Sequence, residues 1–117
     1  MAKSFTKQAF SGDTTGQGVL VAATATTGTT VHATSSDTTF DEVWIYATNN
    51  DASAINLTIE FGGTTATKVI KQSIPATSGL TIIVPGLILG PSKTVTAFAG
   101  TANKIVLFGY VNRVSGS

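Results

Sequence analysis

Apolar and polar residues alternate most regularly in the middle of the chain. Apolar side chains occupy the odd positions from Ile55 to Phe61, and polar side chains occupy the even positions between them. Because successive side chains of a strand point to opposite faces, this pattern predicts a half-buried antiparallel strand. The segment 40–48 alternates in the same way, with Trp44 and Tyr46 on one face and smaller apolar residues on the other. It predicts a second strand.

Turn-forming residues separate the other apolar segments at intervals of about 8–12 residues, a spacing typical of sandwiches and barrels. Gly28 breaks the stretch 19–33, which suggests two short strands there, and the segment 40–74 is expected to form a three-stranded meander. The whole pattern predicts strands near 19–25, 40–48, 54–61, 66–74, 80–84, 94–99 and 104–114.

Two details of this pattern bear on the fold. Pro85 marks a sheet edge or a bend, because proline cannot donate to a strand ladder. The last strand is apolar on both faces, which is typical of a strand that is central in a sandwich or covered by a neighbouring chain. The predicted fold is an all-β, antiparallel β-sandwich of jelly-roll or immunoglobulin-like type.

The first 17 residues lack this alternation, and we expect an irregular N-terminal arm at 1–17 before a single sandwich domain at 18–117. Lys3, Phe5, Lys7 and Phe10 are spaced along this arm. Such a segment cannot build its own core, but it can lie along another surface if burial of its two Phe side chains offsets the cost of ordering it. The four residues are therefore candidate partner-binding residues, and a frayed terminus is the alternative.

Charged residues make up only 11% of the chain, and the net charge is +1. Soluble domains carry about 25% charged residues, whereas the cores of protein interfaces are depleted in Lys, Glu and Asp. We therefore expect other subunits to cover much of the surface, although the 21 Thr residues could also serve as polar surface in place of charge. The balanced charge gives no footprint for nucleic acid or for an anionic membrane. Neither is an expected partner.

Residues that commonly carry chemistry are scarce. The chain has no Cys, which excludes disulfides and thiol chemistry, and it has one histidine, His32. We interpret His32 as a strand-edge or turn residue, because the sequence places no nucleophile and carboxylate beside it. Asp37, Asp41 and Glu42 could ligate a hard cation, but they lack the spacing of a calcium loop. We expect no enzyme activity, no metal and no cofactor.

The remaining polar and aromatic residues have ordinary structural interpretations. Glu60 is expected to form a cross-strand ion pair with Lys68 or Lys71, worth under about 1 kcal/mol. Six aromatic residues could stack on bases or sugars, but base binding normally comes with a basic groove. We interpret them as core or subunit contacts, with sugar binding as the alternative: Trp44, Tyr46, Phe61, Phe98, Phe108 and Tyr110.

Six short stretches within residues 18–114 carry a family resemblance: GVLVAATAT (18–26), FDEVW (40–44), IPA (74–76), VPGL (84–87), AFA (97–99) and GYVNR (109–113). With these stretches in this order, the chain resembles small virion proteins of tailed bacteriophages, most of all capsid decoration (cement) proteins. The resemblance implies a small β-sandwich, often a homotrimer, that clamps neighbouring major capsid protein subunits. It includes no functional motif, so no site residue is carried over from it.

This resemblance sets the functional expectation. The chain is expected to be a structural virion protein that is made in the host cytoplasm and binds the outer capsid surface, stabilising the bacteriophage head. Its partners would be the major capsid protein and further copies of itself, with the arm reaching the capsid or a neighbouring subunit. A phage tail or fibre component and a carbohydrate- or receptor-binding module are the alternatives.

Overall fold

The computed structural model describes residues 4–37, 39–77 and 79–115 of the chain. This part of the chain forms nine β-strands, a single turn of 3₁₀-helix at Ala66–Lys68 and no α-helix. None of the described residues belongs to a helix that is long and apolar enough to cross a membrane. In chain order the strands are β1 (Ser4–Gln8), β2 (Val19–Leu20), β3 (Thr29–Ala33), β4 (Phe40–Asn49), β5 (Ile55–Phe61), β6 (Val69–Ile74), β7 (Thr81–Leu89), β8 (Thr94–Ala99) and β9 (Ile105–Ser115).

The strands form two antiparallel sheets that pack face to face. Sheet A has the order β1-β9-β4-β7, and the short strand β2 also pairs with β9. Sheet B has the order β3-β8-β5-β6. The predicted all-β antiparallel sandwich is therefore confirmed.

The core lies between the inner faces of the two sheets. Alternate residues of β4 and β5, the strands with the clearest sequence pattern, are fully buried there, among them Ile45, Leu57 and Ile59. The inward residues of β9, Ile105, Leu107 and Val111, are also fully buried. Strand β9 lies inside sheet A, with β4 on one side and both β1 and β2 on the other. This confirms the prediction that the last strand is central.

The predicted three-stranded meander over 40–74 is wrong. Only β5 and β6 pair with each other, whereas β4 belongs to the other sheet and pairs with β9 along all ten of its residues. Asn49 makes the transition between the sheets, because its buried Nδ2 donates to the carbonyl oxygens of Ser53 (2.9 Å) and Ile74 (3.1 Å). These bonds direct the chain after β4 across the sandwich instead of back along the same sheet.

The prediction of an edge or bend at Pro85 is confirmed. Strand β7 is the outermost strand of sheet A, where a residue without an N–H leaves no ladder bond unmade. The strand was predicted to end at residue 84. It instead continues through Pro85 to Leu89, with two register shifts against β4. Between 19 and 33 two short strands form, as expected, and Gly28 separates them where a Cβ would lie 2.3 Å from the carbonyl oxygen of Ala97.

The prediction of an irregular arm is wrong for residues 4–10. Residues 4–8 form β1, which pairs with the C-terminal half of β9, for example Phe5 with Val114. Phe10 is 3% exposed and belongs to the core. The ring fits because residue 109 is a glycine. A Cβ added at this position would lie 2.9 Å from the ring of Phe10 and 2.0 Å from the carbonyl oxygen of Trp44. Residues 4–10 therefore form part of the sandwich itself, with Phe10 in its core and Phe5 exposed on sheet A.

Candidate interaction surface

The outward side of sheet A carries an unusual concentration of large apolar side chains. Five of them are 47–72% exposed: Phe5, Leu20, Phe40, Ile82 and Ile88. They surround partly buried members on the central strands, and we call the whole surface the aromatic face. Its residues are Phe5, Leu20, Phe40, Trp44, Tyr46, Ile82, Pro85, Ile88, Val106, Phe108, Tyr110 and Val114.

Strand register arranges these side chains in rows across the sheet. One row joins Phe5, Val114 and Phe40, because β9 pairs with β1 on one side and with β4 on the other. Trp44 lies opposite Tyr110 in another row, and the two rings stack with their centroids 6.1 Å apart and an interplanar angle of 18°. The two rings of this row are therefore in contact with each other.

A polar row crosses the aromatic face between these two apolar rows. Lys7 and Glu42 both pair with Asn112, one from β1 and the other from β4. Glu42 Oε1 accepts hydrogen bonds from Trp44 Nε1 (2.8 Å) and Asn112 Nδ2 (2.9 Å), and these bonds lower the pKa of the Glu42 carboxyl. Lys7 Nζ lies 4.7 Å from the centroid of the Tyr110 ring. The row thus carries one fixed negative and one positive group.

The aromatic face is as large as the largest apolar patches of typical monomers and carries few charges. Aromatic side chains offer about 150–250 Å² each, so the exposed fractions imply an apolar area on the order of 600 Å². The largest apolar patch on a typical monomer is roughly 300–600 Å² and is often functional. Among the described residues that point outward from the strands of sheet A, only Lys7 and Glu42 are charged. This composition is that of an interface core.

The structure brings together two of the four predicted partner-binding residues. Phe5 is 72% exposed, and it lies with Lys7 at the β1 edge of the aromatic face. Phe10 is buried in the core and cannot contact a partner, and Lys3 lies outside the described residues. Four of the six aromatics singled out from the sequence also lie on this face. Phe61 instead packs beside the core, and Phe98 lies on sheet B.

Sequence reasoning missed the contributions of Leu20, Phe40, Ile82 and Ile88 to this surface. The four residues come from three separate segments, and only the pairing of β2, β4 and β7 within sheet A brings them to one face. The available signal was the last strand, whose second apolar face is the centre of the aromatic face. That signal indicated a covered surface but could not identify its other residues.

His32 lies on β3, an edge strand of sheet B, as one of the two expected interpretations has it, but its side chain is buried in a network at one end of the sandwich. Its Nδ1 accepts a hydrogen bond from the main-chain N–H of Ser11 (3.0 Å), so its Nε2 donates to Asp41 Oδ2 (2.6 Å). Arg113 binds the same carboxylate through Nε (2.8 Å) and Nη2 (2.9 Å). Burial raises the pKa of Asp41, but the bonds from Arg113 and His32 outweigh burial and lower it overall.

This network has the geometry of a structural tie. Both ring nitrogens of His32 are engaged, so in this arrangement the imidazole cannot accept a proton from a nucleophile. Asp41 connects β4 to β3 through His32 and to β9 through Arg113, and Ser11 adds the segment after β1. The network therefore links both sheets at the end where the N-terminal segment enters the core.

The structure does not bring Asp37, Asp41 and Glu42 together. Asp41 points into the sandwich, Glu42 points outward, and Asp37 Oδ1 accepts from the N–H of Thr39 (2.9 Å). Within the described ranges, no group of three or more His, Asp or Glu side chains is close enough to hold a metal ion.

The predicted ion pair of Glu60 with Lys68 or Lys71 is wrong. Glu60 is 1% exposed, because the segment before β3 covers it. Its Oε1 accepts from the N–H of Gly28 (2.8 Å) and from Thr96 Oγ1 (2.6 Å), and its Oε2 accepts from Thr26 Oγ1. Burial raises the pKa of Glu60, but these three hydrogen bonds outweigh burial and lower it overall.

A polar cleft of about 440 Å³ lies beside Glu60 at one end of sheet B. Hydroxyl groups, glycine backbone and one lysine line it: Thr27, Thr30, Gly62, Gly63, Thr64, Ser92, Lys93, Thr94 and Thr96. None of these residues is aromatic, so the cleft itself supplies no ring on which a sugar could stack. The aromatic face is therefore the stronger candidate for a functional site.

The comparisons with known proteins yield no relative for this chain. No protein-family model, curated protein or solved structure matches it.

Proposed function

We propose that this chain is a structural protein that works by assembly, binding another protein through the aromatic face. The observation that carries this proposal is the concentration of exposed apolar side chains on the aromatic face, on the order of 600 Å² by the area of aromatic side chains, on a chain with 11% charged residues. Exposed apolar area of this size favours association, because covering it removes it from water.

The bacteriophage resemblance gives this general proposal a specific form. We propose that the chain is a virion protein that binds the outside of the capsid and stabilises the head by bridging major capsid protein subunits. Phe5 and Lys7 support this proposal, because the residues expected to reach a partner lie at one edge of the aromatic face. The resemblance alone implies that the copies of the chain form a homotrimer.

A tail or fibre component would use the same surface for assembly, and a carbohydrate-binding module is the other candidate. The stacked rings of Trp44 and Tyr110 favour the carbohydrate-binding module, because a sugar ring can lie on an aromatic plane. The half-buried position of both rings within an apolar surface favours a protein partner more strongly.

The test is decoration of phage capsids that lack this protein, with binding measured by co-sedimentation. We expect the wild-type chain to bind at a fixed ratio to the major capsid protein, and the double variant F5S/I88S to bind at least tenfold more weakly. Leu87→Ser is the matched control: Leu87 is exposed on β7, but it pairs with the inward-facing Val43 and lies outside the aromatic face.

Each outcome separates the candidate functions. Equal binding by F5S/I88S and wild type would refute a role for the aromatic face, provided that both chains are folded. Wild-type binding to isolated tails in a few copies, and not to capsids, would identify the tail component. Retention on immobilised glycans, abolished by Trp44→Ala, would identify the carbohydrate module.

A further inference from the structure

The arrangement of charge on the aromatic face indicates what covers it. We infer that the aromatic face of one chain binds the aromatic face of a second copy, around a two-fold axis that runs along β9 where the two β9 strands cross at Asn112. This inference rests on the proposed function only in requiring the face to be a protein interface, and it makes a second copy of the chain, not the capsid, the protein that covers the face. It replaces the homotrimer that the resemblance implies.

The C-terminal half of strand β9 lies between β1 and β4 in sheet A. A two-fold axis along β9 places each residue of β1 opposite the residue of β4 that occupies the same row in the second copy. Such an interface uses the same patch on both subunits and must be complementary to itself. The rows of the aromatic face can therefore be checked for self-complementarity.

The polar row meets this requirement. Lys7 and Glu42 flank Asn112 on opposite sides, so the axis brings Lys7 of each chain opposite Glu42 of the other chain. Neither residue forms an ion pair with any described residue of its own chain. Packed sheets lie about 10 Å apart, a gap that a lysine and a glutamate side chain can bridge together. One charge of each sign at mirrored positions is the pattern that a second copy satisfies.

The neighbouring apolar row meets the requirement as well. Phe5 and Phe40 flank Val114, so the same axis brings Phe5 of one chain opposite Phe40 of the other. Two such pairs form, one on each side of Val114, and each pair buries two exposed rings. Tyr110, on the opposite side of the polar row, faces its own copy beside the axis. Aromatic pairs of this kind add to the stability that apolar burial gives.

The area that this arrangement buries is that of a weak pair. The axis opposes β1, β9 and β4 of the two chains, whereas Ile82, Pro85 and Ile88 lie on β7, which has no strand opposite it. Each chain therefore buries less than the whole aromatic face, and the total lies below the roughly 1,200 Å² at which stable protein interfaces begin. Sheets that pack face to face align within about 30° of each other, so the rows nearest the crossing point stay opposed. The polar row and the two apolar rows beside it are those rows.

The test measures the mass of the folded chain in solution across a dilution series by sedimentation. We expect wild type to reach twice the chain mass of 11.9 kDa. Lys7→Glu and Glu42→Lys should each weaken the dimer at least tenfold, because each places like charges opposite each other. The combined variant K7E/E42K restores opposite charges and should recover the dimer. Lys71→Glu on sheet B is the matched charge control and should dimerise like wild type.

Three outcomes would overturn this inference. A wild-type mass of three chains contradicts the two-fold arrangement, and a dimer that persists in both K7E and F5S/I88S uses another surface. A folded wild-type monomer at all concentrations also overturns it. If that monomer binds capsids and F5S/I88S does not, the proposed function stands and only the second copy is wrong as the occupant.

Discussion

Two carboxylates are buried in this sandwich, and the protein keeps them ionised by different means. Asp41 lies against the guanidinium of Arg113, so a positive charge compensates for the loss of water. Glu60 has no such partner among the described residues, and its acceptors are satisfied by two hydroxyl groups and one main-chain N–H. Three donors can stabilise a carboxylate that the low dielectric of the interior disfavours. Glu60 thereby fastens the segment before β3 to the outer side of sheet B.

We expect Glu60→Gln to lower the free energy of unfolding by about 1–3 kcal/mol, since a neutral amide with one oxygen replaces a charged carboxylate whose two oxygens accept three hydrogen bonds. The pKa of Glu60 in the folded chain lies below its ordinary value of 4.5. Its contribution is therefore complete above that value and is lost as the pH falls through the folded pKa. The loss of stability on acidification should be smaller in E60Q than in wild type.

Urea unfolding at about pH 6 and about pH 3 measures both effects of this substitution. Asp51→Asn is the control, because Asp51 takes part in described hydrogen bonds only through its main chain. If E60Q and D51N unfold at the same urea concentration at both pH values, the hydrogen bonds to Glu60 contribute nothing to stability.

At the scale of elements, the N-terminal segment decides how the sandwich closes. Strand β1 extends sheet A along the C-terminal half of β9, and the chain then turns inward at Phe10. Phe10 and His32 approach each other with ring centroids 6.1 Å apart, at the buried network of Asp41 and Arg113. One short segment therefore contributes to the sheet, to the core and to the tie between sheets.

The two phenylalanines of this segment should behave differently. Phe10→Ala removes a core side chain and should lower the free energy of unfolding by about 3–5 kcal/mol. Phe5→Ala removes a ring that is 72% exposed, and in the monomer it should change that free energy by under about 0.5 kcal/mol. Chemical denaturation at low protein concentration compares them directly. Similar losses in both variants would contradict the placement of Phe10 in the core and Phe5 outside it.

The strands were predictable where one face is buried and the other is not, as in β4 and β5, because alternation then records the environment directly. Strand β1 was not, since Phe5 and Lys7 both point outward and neither is covered within the chain. The partner of Glu60 was missed because a polar residue at an even position suggests solvent, and only the path of residues 26–28 reveals that it is covered. The aromatic face depends on strand order, which alternation within one strand does not contain.

At the scale of the whole molecule, the two outer surfaces of the sandwich differ in kind. The outer side of sheet B carries hydroxyl groups and is partly covered by the chain's own loop at Glu60. The outer side of sheet A carries the aromatic face, with Lys7 and Glu42 as its described charges. The outer side of sheet A is therefore the more apolar of the two and has more to gain from being covered. The stability of the chain should depend on what binds sheet A.

The dependence of stability on what binds sheet A can be tested on the isolated chain, without any other protein. If two aromatic faces bind each other, the dimer is stabilised by mass action, and each tenfold rise in protein concentration adds about 1.4 kcal/mol per dimer. The thermal unfolding midpoint of wild type should then rise by several degrees over a hundredfold range of concentration. The midpoint of F5S/I88S should stay constant, because its faces no longer associate, while L87S should follow wild type. Differential scanning calorimetry of the three chains at matched concentrations measures this difference, and a wild-type midpoint independent of concentration would show that the face stays uncovered in the isolated protein.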